Sequence, residues 1–191
     1  VRKAVTLAID RQAIVDVVTK GGQKPASGFV PPGMTLSDGS DFRDKAGDYG
    51  ITPTANVEEA KKLLAEAGYP DGQGFPTIEV MYNTLEAHKA IAEAIQEMWK
   101  QNLGINVELR NEEWKVFQET RNQGDFIIAR HGWIGDYVDP MTFLDMWLSN
   151  SGNNDADWFN DEYDKLIADS KKAEGAERDA LMLQAEKLMM D

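Results

Sequence analysis

Cysteine is absent from the 191-residue chain, which excludes a disulfide framework, a thiol nucleophile and any thiolate metal site. That absence fits a cytosolic protein and a bacterial exported one equally. No apolar run reaches the roughly 18 residues that a bilayer-spanning helix needs. Positive charge is scarce: 20 Lys and Arg stand against 33 Asp and Glu, a net charge of −13. Affinity for nucleic acid comes largely from cations that neutralise phosphates, so no nucleic-acid partner is expected. An anionic membrane surface is disfavoured for the same reason. Histidine is limited to His88 and His131, and no Gly-x-Ser-x-Gly elbow or His-x-x-x-His pair accompanies them. Gly72-Gln73-Gly74 precedes a strand and does not open a helix, unlike a nucleotide loop. Asp155, Asp157, Asp161 and Asp164 lack the ordered spacing and glycine of a calcium loop and read as first-turn residues and a solvated loop. A two-carboxylate glycosidase stays open, since any acidic protein can supply the pair. The expectation is no enzyme, no cofactor and no metal.

What is present suits one generous globular domain, with 42% hydrophobic residues to build a core. Val1 opens inside an amphipathic pattern and the sequence stops inside a helical one, so 1–191 reads as a piece of a longer protein. Residues 2–20 are expected as two short helices, with Asp10 capping the second and Gly21-Gly22 as the stop. Residues 22–55, rich in Gly, Pro, Ser and Asp, read as a long loop with Pro31-Pro32-Gly33 as a rigid turn. Asn56, with Glu59 three positions on, caps a helix whose stripe is Val57, Ala60, Leu64 and Ala67, ended by Gly68.

A strand at 76–82 follows, then a helix capped by Thr84 that buries Ile91, Ile95, Met98, Trp99 and Leu103 and stops at Gly104. Ile105, Val107 and Leu109 alternate with polar residues and predict a half-buried strand. A helix near 112–122 leads to Phe126-Ile127-Ile128-Ala129, read as a buried strand capped by Arg130. Asp139-Pro140 starts a helix with Phe143, Leu144 and Trp147, and two more helices, the first capped by Asn160, finish the chain. The order strand–helix–strand–helix–strand defines an α/β layer structure.

Ligand chemistry concentrates in Arg130-His131-Gly132-Trp133-Ile134-Gly135-Asp136. Asp136 lies past a strand end in a glycine-containing loop, where ligands of α/β sheets gather, and its carboxylate suits an ammonium. Arg121 and Arg130 offer planar forks to a carboxylate. Trp114 and Trp133 read either as pocket walls or as core, Arg121 either as ligand-binding or as a helix-dipole partner, and His88 either as ligand-binding or as a core histidine on the face of Ile91 and Ile95.

The order of these residues adds specificity. Ala8-Ile9-Asp10-Arg11, Gly28-Phe29-Val30-Pro31-Pro32-Gly33, Tyr82-Asn83-Thr84, His88-Lys89, Met98-Trp99-Lys100, Glu113-Trp114-Lys115, Arg121, Ala129 to Tyr137 and Tyr163-Asp164-Lys165-Leu166-Ile167 together resemble the oligopeptide-binding proteins of bacterial peptide ABC importers, family 5 of the extracellular solute-binding proteins. The resemblance covers nearly the whole chain and matches the C-terminal lobe of a type II periplasmic-binding-protein clamshell. It implies that 1–191 is a single mixed α/β lobe, monomeric in isolation, whose partners are short peptides, the N-terminal lobe of the same parent and a membrane permease. The parent would be extracytoplasmic, in the periplasm or lipid-anchored at the cell surface. Asp136 would meet the peptide ammonium, Gly132 and Ile134 the peptide backbone, Arg121, Arg130 and His88 the peptide carboxylate, and Trp114 and Trp133 side-chain pockets. A lysine that helps hold the carboxylate in some relatives falls at Thr19, beside Lys20. Receptors of the same superfamily for a nickel complex, a haem, a sugar or a signalling peptide are the alternative.

Overall fold

The computed structural model describes residues 1–190, which form two compact units: residues 1–25 with 51–131, and residues 26–50 with those from 132 on. In chain order the elements are α1 (Arg2–Leu7), α2 (Arg11–Ala13), α3 (Phe42–Ala46), α4 (Val57–Glu66), β1 (Ile78–Asn83), α5 (Glu86–Leu103), β2 (Val107–Glu112), α6 (Trp114–Asn122), β3 (Ile128–Ala129), α7 (Met141–Leu144), α8 (Asp161–Ser170) and α9 (Gly175–Met190).

The first unit is a parallel sheet with helices. Strand order is β2-β1-β3, with Ile78 opposite Val107, Asn83 opposite Glu112, and Val80 and Met81 opposite Ile128 and Ala129. Ile78 and Val80 join Leu64, Trp99, Leu103 and Ile105 in its core. Three hydrogen bonds tie in the first helix and its sequel: Trp99 Nε1 donates to Val5 O at 2.7 Å, Asn102 Nδ2 to Ala8 O at 2.9 Å, and Asn56 N to Leu7 O at 2.8 Å. Asp10 caps α2 by accepting the Ala13 N–H at 2.8 Å, but the helix then widens into a π-helical stretch, Ile14–Thr19, and ends at left-handed Lys20. Asn56 accepts the Glu59 N–H at 3.2 Å, as its cap role requires. Ala67, expected on the buried stripe, is exposed. Gly72 and Gly104 are dictated by space: a Cβ on either would come within 2.5 Å of the other segment's backbone carbonyls.

Two expectations fail here for stated reasons. Thr84 does not cap α5. Its N–H still pairs with Glu112 O at 2.8 Å and its hydroxyl reaches Asn111 and Glu112 O, so it prolongs the sheet, and Leu85 takes the cap position without a side-chain bond. The strand at 126–130 is not buried. Only Ile128 and Ala129 pair, both half-buried, and Ile127 is 61% exposed, because β3 is an edge strand with a neighbour on one side.

In the second unit, Val30, Phe42, Leu144, Tyr163, Ile167 and Met182 are among the buried core residues. Part of the expected loop 22–55 is ordered here: Phe42–Ala46 is helical, capped by Asp41, and long-range bonds hold the preceding residues. Glu186 of α9, fully buried, accepts the N–H groups of Phe29 (2.9 Å) and Val30 (2.7 Å), the fork of Arg43 (3.0 and 2.5 Å) and the Tyr49 hydroxyl (2.7 Å). Asp179 accepts from the N–H and the hydroxyl of Ser37. The helix expected from Asp139-Pro140 spans four residues, after which Asp145–Trp147 tightens to a 3-10 turn. Asn160 caps α8 through the Tyr163 N–H at 3.0 Å.

Tyr163 donates to Leu144 O at 2.7 Å, and burial, then the charge of Glu186, pushes its hydroxyl well above the ordinary tyrosine range. Burial and the bond to Glu186 do the same for Tyr49. An unfolded tyrosine loses its proton near about pH 10. Above that pH the unfolded state binds fewer protons than the folded one, so stability falls as pH rises. Thermal denaturation across alkaline pH should show that decline, with a shallower slope in Tyr163→Phe; an unchanged slope would contradict it.

Candidate functional site

In the first unit the candidate residues gather at the ends of β1 and β3. Asn83, the last residue of β1, is 8% exposed and serves both sides: its backbone oxygen lies 3.2 Å from His88 Nδ1, and its Oδ1 accepts from Arg130 Nη1 at 3.5 Å. Arg130 follows β3 directly and extends its pairing, donating its N–H to Met81 O at 2.7 Å. Burial, and then the nearby charge of Arg121, pull the Arg130 guanidinium below its ordinary pKa. Among the described residues Arg130 has no carboxylate partner in a salt bridge. A guanidinium in this environment suits an anion.

Helix α6 adds an aromatic wall. Trp114 stacks on Phe117 with centroids 6.0 Å apart and planes at 19°, and the Arg121 guanidinium lies 5.6 Å from the Phe117 ring. The spacing i, i+3, i+7 puts all three on one helix face. Phe117 is fully buried while Trp114 is 44% exposed, so the core reading of Trp114 gives way to a surface ring with a buried support. His88, half-buried and bonded to a strand-end carbonyl, is likewise not a core histidine. Asn83 entered the sequence reading only within the Tyr82-Asn83-Thr84 motif, with no role, and Phe117 not at all; a polar residue closing an apolar strand, and an aromatic three positions after Trp114, were the available signals.

In the second unit, Gly132, Trp133, Ile134 and Asp136 lie on one loop leading into α7. Trp133 is half-buried against the core, and its indole N–H is buried without an acceptor among the described residues. Ile134 is 91% exposed. The Asp136 N–H donates to Thr142 Oγ1 at 3.1 Å, whereas its exposed carboxylate has no hydrogen-bond or ion-pair partner among the described residues. Asp139 accepts the Met141 N–H at 2.8 Å and pairs with Arg178 at 2.7 Å. Burial, then the charges of Asp145 and Asp139, with a contribution from Asp136, hold the Tyr137 hydroxyl above its usual range, which marks a negative potential at this loop. Among the described residues no group of three His, Asp or Glu side chains is placed to hold a metal, and no helix is long and apolar enough to cross a membrane.

Comparison with known proteins identifies the family. The periplasmic oligopeptide-binding protein OppA of Salmonella typhimurium is 44% identical over 187 residues, covering 97% of this chain and 34% of that protein. The chain thus spans about a third of the length of the curated relatives it matches. A crystal structure of a periplasmic oligopeptide-binding protein from Borrelia burgdorferi superposes with a TM-score of 0.86 at 37% identity, over 100% of this chain and 36% of that one. The Haemophilus influenzae OppA structure in complex with RPPGFSPFR gives 0.84 at 40% identity, over 99% and 37%. The fold is the mixed helix and parallel-sheet architecture of periplasmic binding proteins. Residues 1–155 match the family described as bacterial extracellular solute-binding proteins, family 5 Middle, and the chain belongs to that family.

Proposed function

We propose that this chain is the C-terminal lobe of an extracytoplasmic peptide receptor that delivers short, extended peptides to the permease of an ABC importer. One observation carries the reading: a carboxylate, Asp136, and a guanidinium, Arg130, each stand without an ionic partner among the described residues. A peptide carries both kinds of charge that these two side chains lack. Asp136 holds the peptide ammonium. Arg130 and Arg121, with His88, hold the carboxylate. Gly132 and Ile134 meet the peptide backbone, whose donors and acceptors each need a partner once buried. Trp114 and Trp133 wall roomy side-chain pockets that tolerate many sequences. The parent carries a second, N-terminal lobe, and it is anchored by lipid or free in the periplasm. The ligand leaves chemically unchanged, in keeping with relatives that are binding proteins.

The test is calorimetric titration of the full-length protein with peptides of about two to five residues, free and with both ends blocked. Free peptides should bind, and blocking the termini should abolish most of the affinity. Equal binding of blocked and free peptides, or none of any peptide, would reject the reading. A neutral sugar as the natural ligand would give that second result.

A further inference from the structure

We infer that Thr142, seated on Gly135, is a positioning residue that fixes the backbone carrying the Asp136 carboxylate before any ligand arrives; the inference rests on the role proposed above for Asp136. Apart from Trp133, which packs against the core, the loop from Gly132 to Asp139 is made largely of exposed residues, with Ile134 at 91% and Val138 at 80% exposure, so its other side chains provide little packing to hold it. Around Asp136 its order comes from backbone anchors. Thr142 is 2% exposed, and its Oγ1 accepts the Asp136 N–H at 3.1 Å. The helix that carries it is rigidly placed, because Met141, Phe143 and Leu144 are all buried. Gly135 is not among the residues with positive φ, so conformation does not demand a glycine there. Space is tight there: a Cβ would lie 3.1 Å from both Thr142 Cγ2 and Phe143 Cζ, so those side chains would have to give by a few tenths of an ångström. Asp139 closes the other side of the loop through Met141 N–H and Arg178.

The arrangement leaves the backbone of Asp136 fixed and its carboxylate uncommitted. A counter-charge whose backbone is fixed before binding leaves only its side chain to be ordered when the ligand arrives, and that saving appears as affinity. Thr142 touches no ligand in this scheme. It acts only through Asp136, so its removal should matter only for ligands with an ammonium to present.

Titration of the full-length protein with a peptide and its des-amino analogue separates the possibilities. Thr142→Val keeps the shape and removes the acceptor, and should weaken the free-amine peptide by about tenfold. The des-amino peptide should lose less than about twofold, within the scatter of a distant structural change. Thr142→Ser restores the hydroxyl and should bind as the parent does. If Thr142→Val fails to fold, Gly135→Ala, which pushes the loop off α7, should show the same selectivity. Equal losses for both peptides, or no rescue by serine, would reduce Thr142 to a structural residue and overturn the inference. Asp136→Asn is measured alongside. If it weakens the free-amine peptide while Thr142→Val does not, only the positioning role fails. If it has no effect, the ammonium reading fails and takes this inference with it.

Discussion

Replacing Glu186 by alanine is expected to destabilise the second unit by about 3–5 kcal/mol, the cost of leaving a buried charge without its partner. Five donated bonds converge on this one side chain, which is fully buried: two from backbone N–H groups, two from Arg43 and one from Tyr49. Arg43 is itself only 10% exposed at its side chain, so water cannot replace the lost carboxylate. Glu186→Gln keeps the volume but not the charge and should fall between the parent and alanine. Urea denaturation followed by tryptophan emission reads this directly, since Trp133, Trp147 and Trp158 all pack against the same core. A loss below about 1 kcal/mol would show that the network is replaceable by repacking or solvent.

That network also explains what the sequence made legible in the segment before α3 and what it hid. Gly28-Phe29-Val30 was recognisable as a motif without a physical reason. The reason is Arg43 and Glu186: a Cβ on Gly28 would overlap the Arg43 guanidinium, at 1.7 Å from Nη1, and the next two N–H groups end on Glu186. No local pattern announces partners 156 and 157 positions apart. The segment therefore read as a loop, although its backbone bonds are satisfied by a distant helix. The helices with strong stripes and side-chain caps, such as α4 and α8, were legible because their causes are local: Asn56 and Asn160 bond within their own first turns.

At the site, the charged residues were legible and their supports were not. Arg130 and Asp136 stand out as candidates because a strand end and a glycine-bearing loop place charges where ligands of α/β sheets tend to gather. Asn83 touches Arg130 across 47 positions and Thr142 touches Asp136 across 6, and no periodicity encodes such contacts, whereas Phe117 meets Arg121 at the ordinary helical spacing of four. The strand at 126–130 misled for a related reason. Composition showed an apolar run but not that β3 has one neighbour, which leaves Ile127 exposed.

Asp136→Ala should weaken binding of a free-amine peptide to the full-length receptor by about 3–5 kcal/mol, a factor of a few hundred to a few thousand. The magnitude depends on desolvation. Asp136 is exposed in this structure, and an exposed ion pair contributes only about 0–1 kcal/mol. The larger figure requires that a second lobe cover the ligand, so that the ammonium is left buried and unpaired when the carboxylate is removed. The chain studied alone should accordingly bind peptide at millimolar level or not at all, and Asp136→Ala should change that weak binding little. Comparing the substitution in the two contexts separates the assignment of the residue from the closure of the clamshell. A loss below about 1 kcal/mol in the full-length receptor would mean that Asp136 does not hold the ammonium under a closed lobe. A large loss already present in the isolated chain would mean that this piece alone excludes water from its ligand.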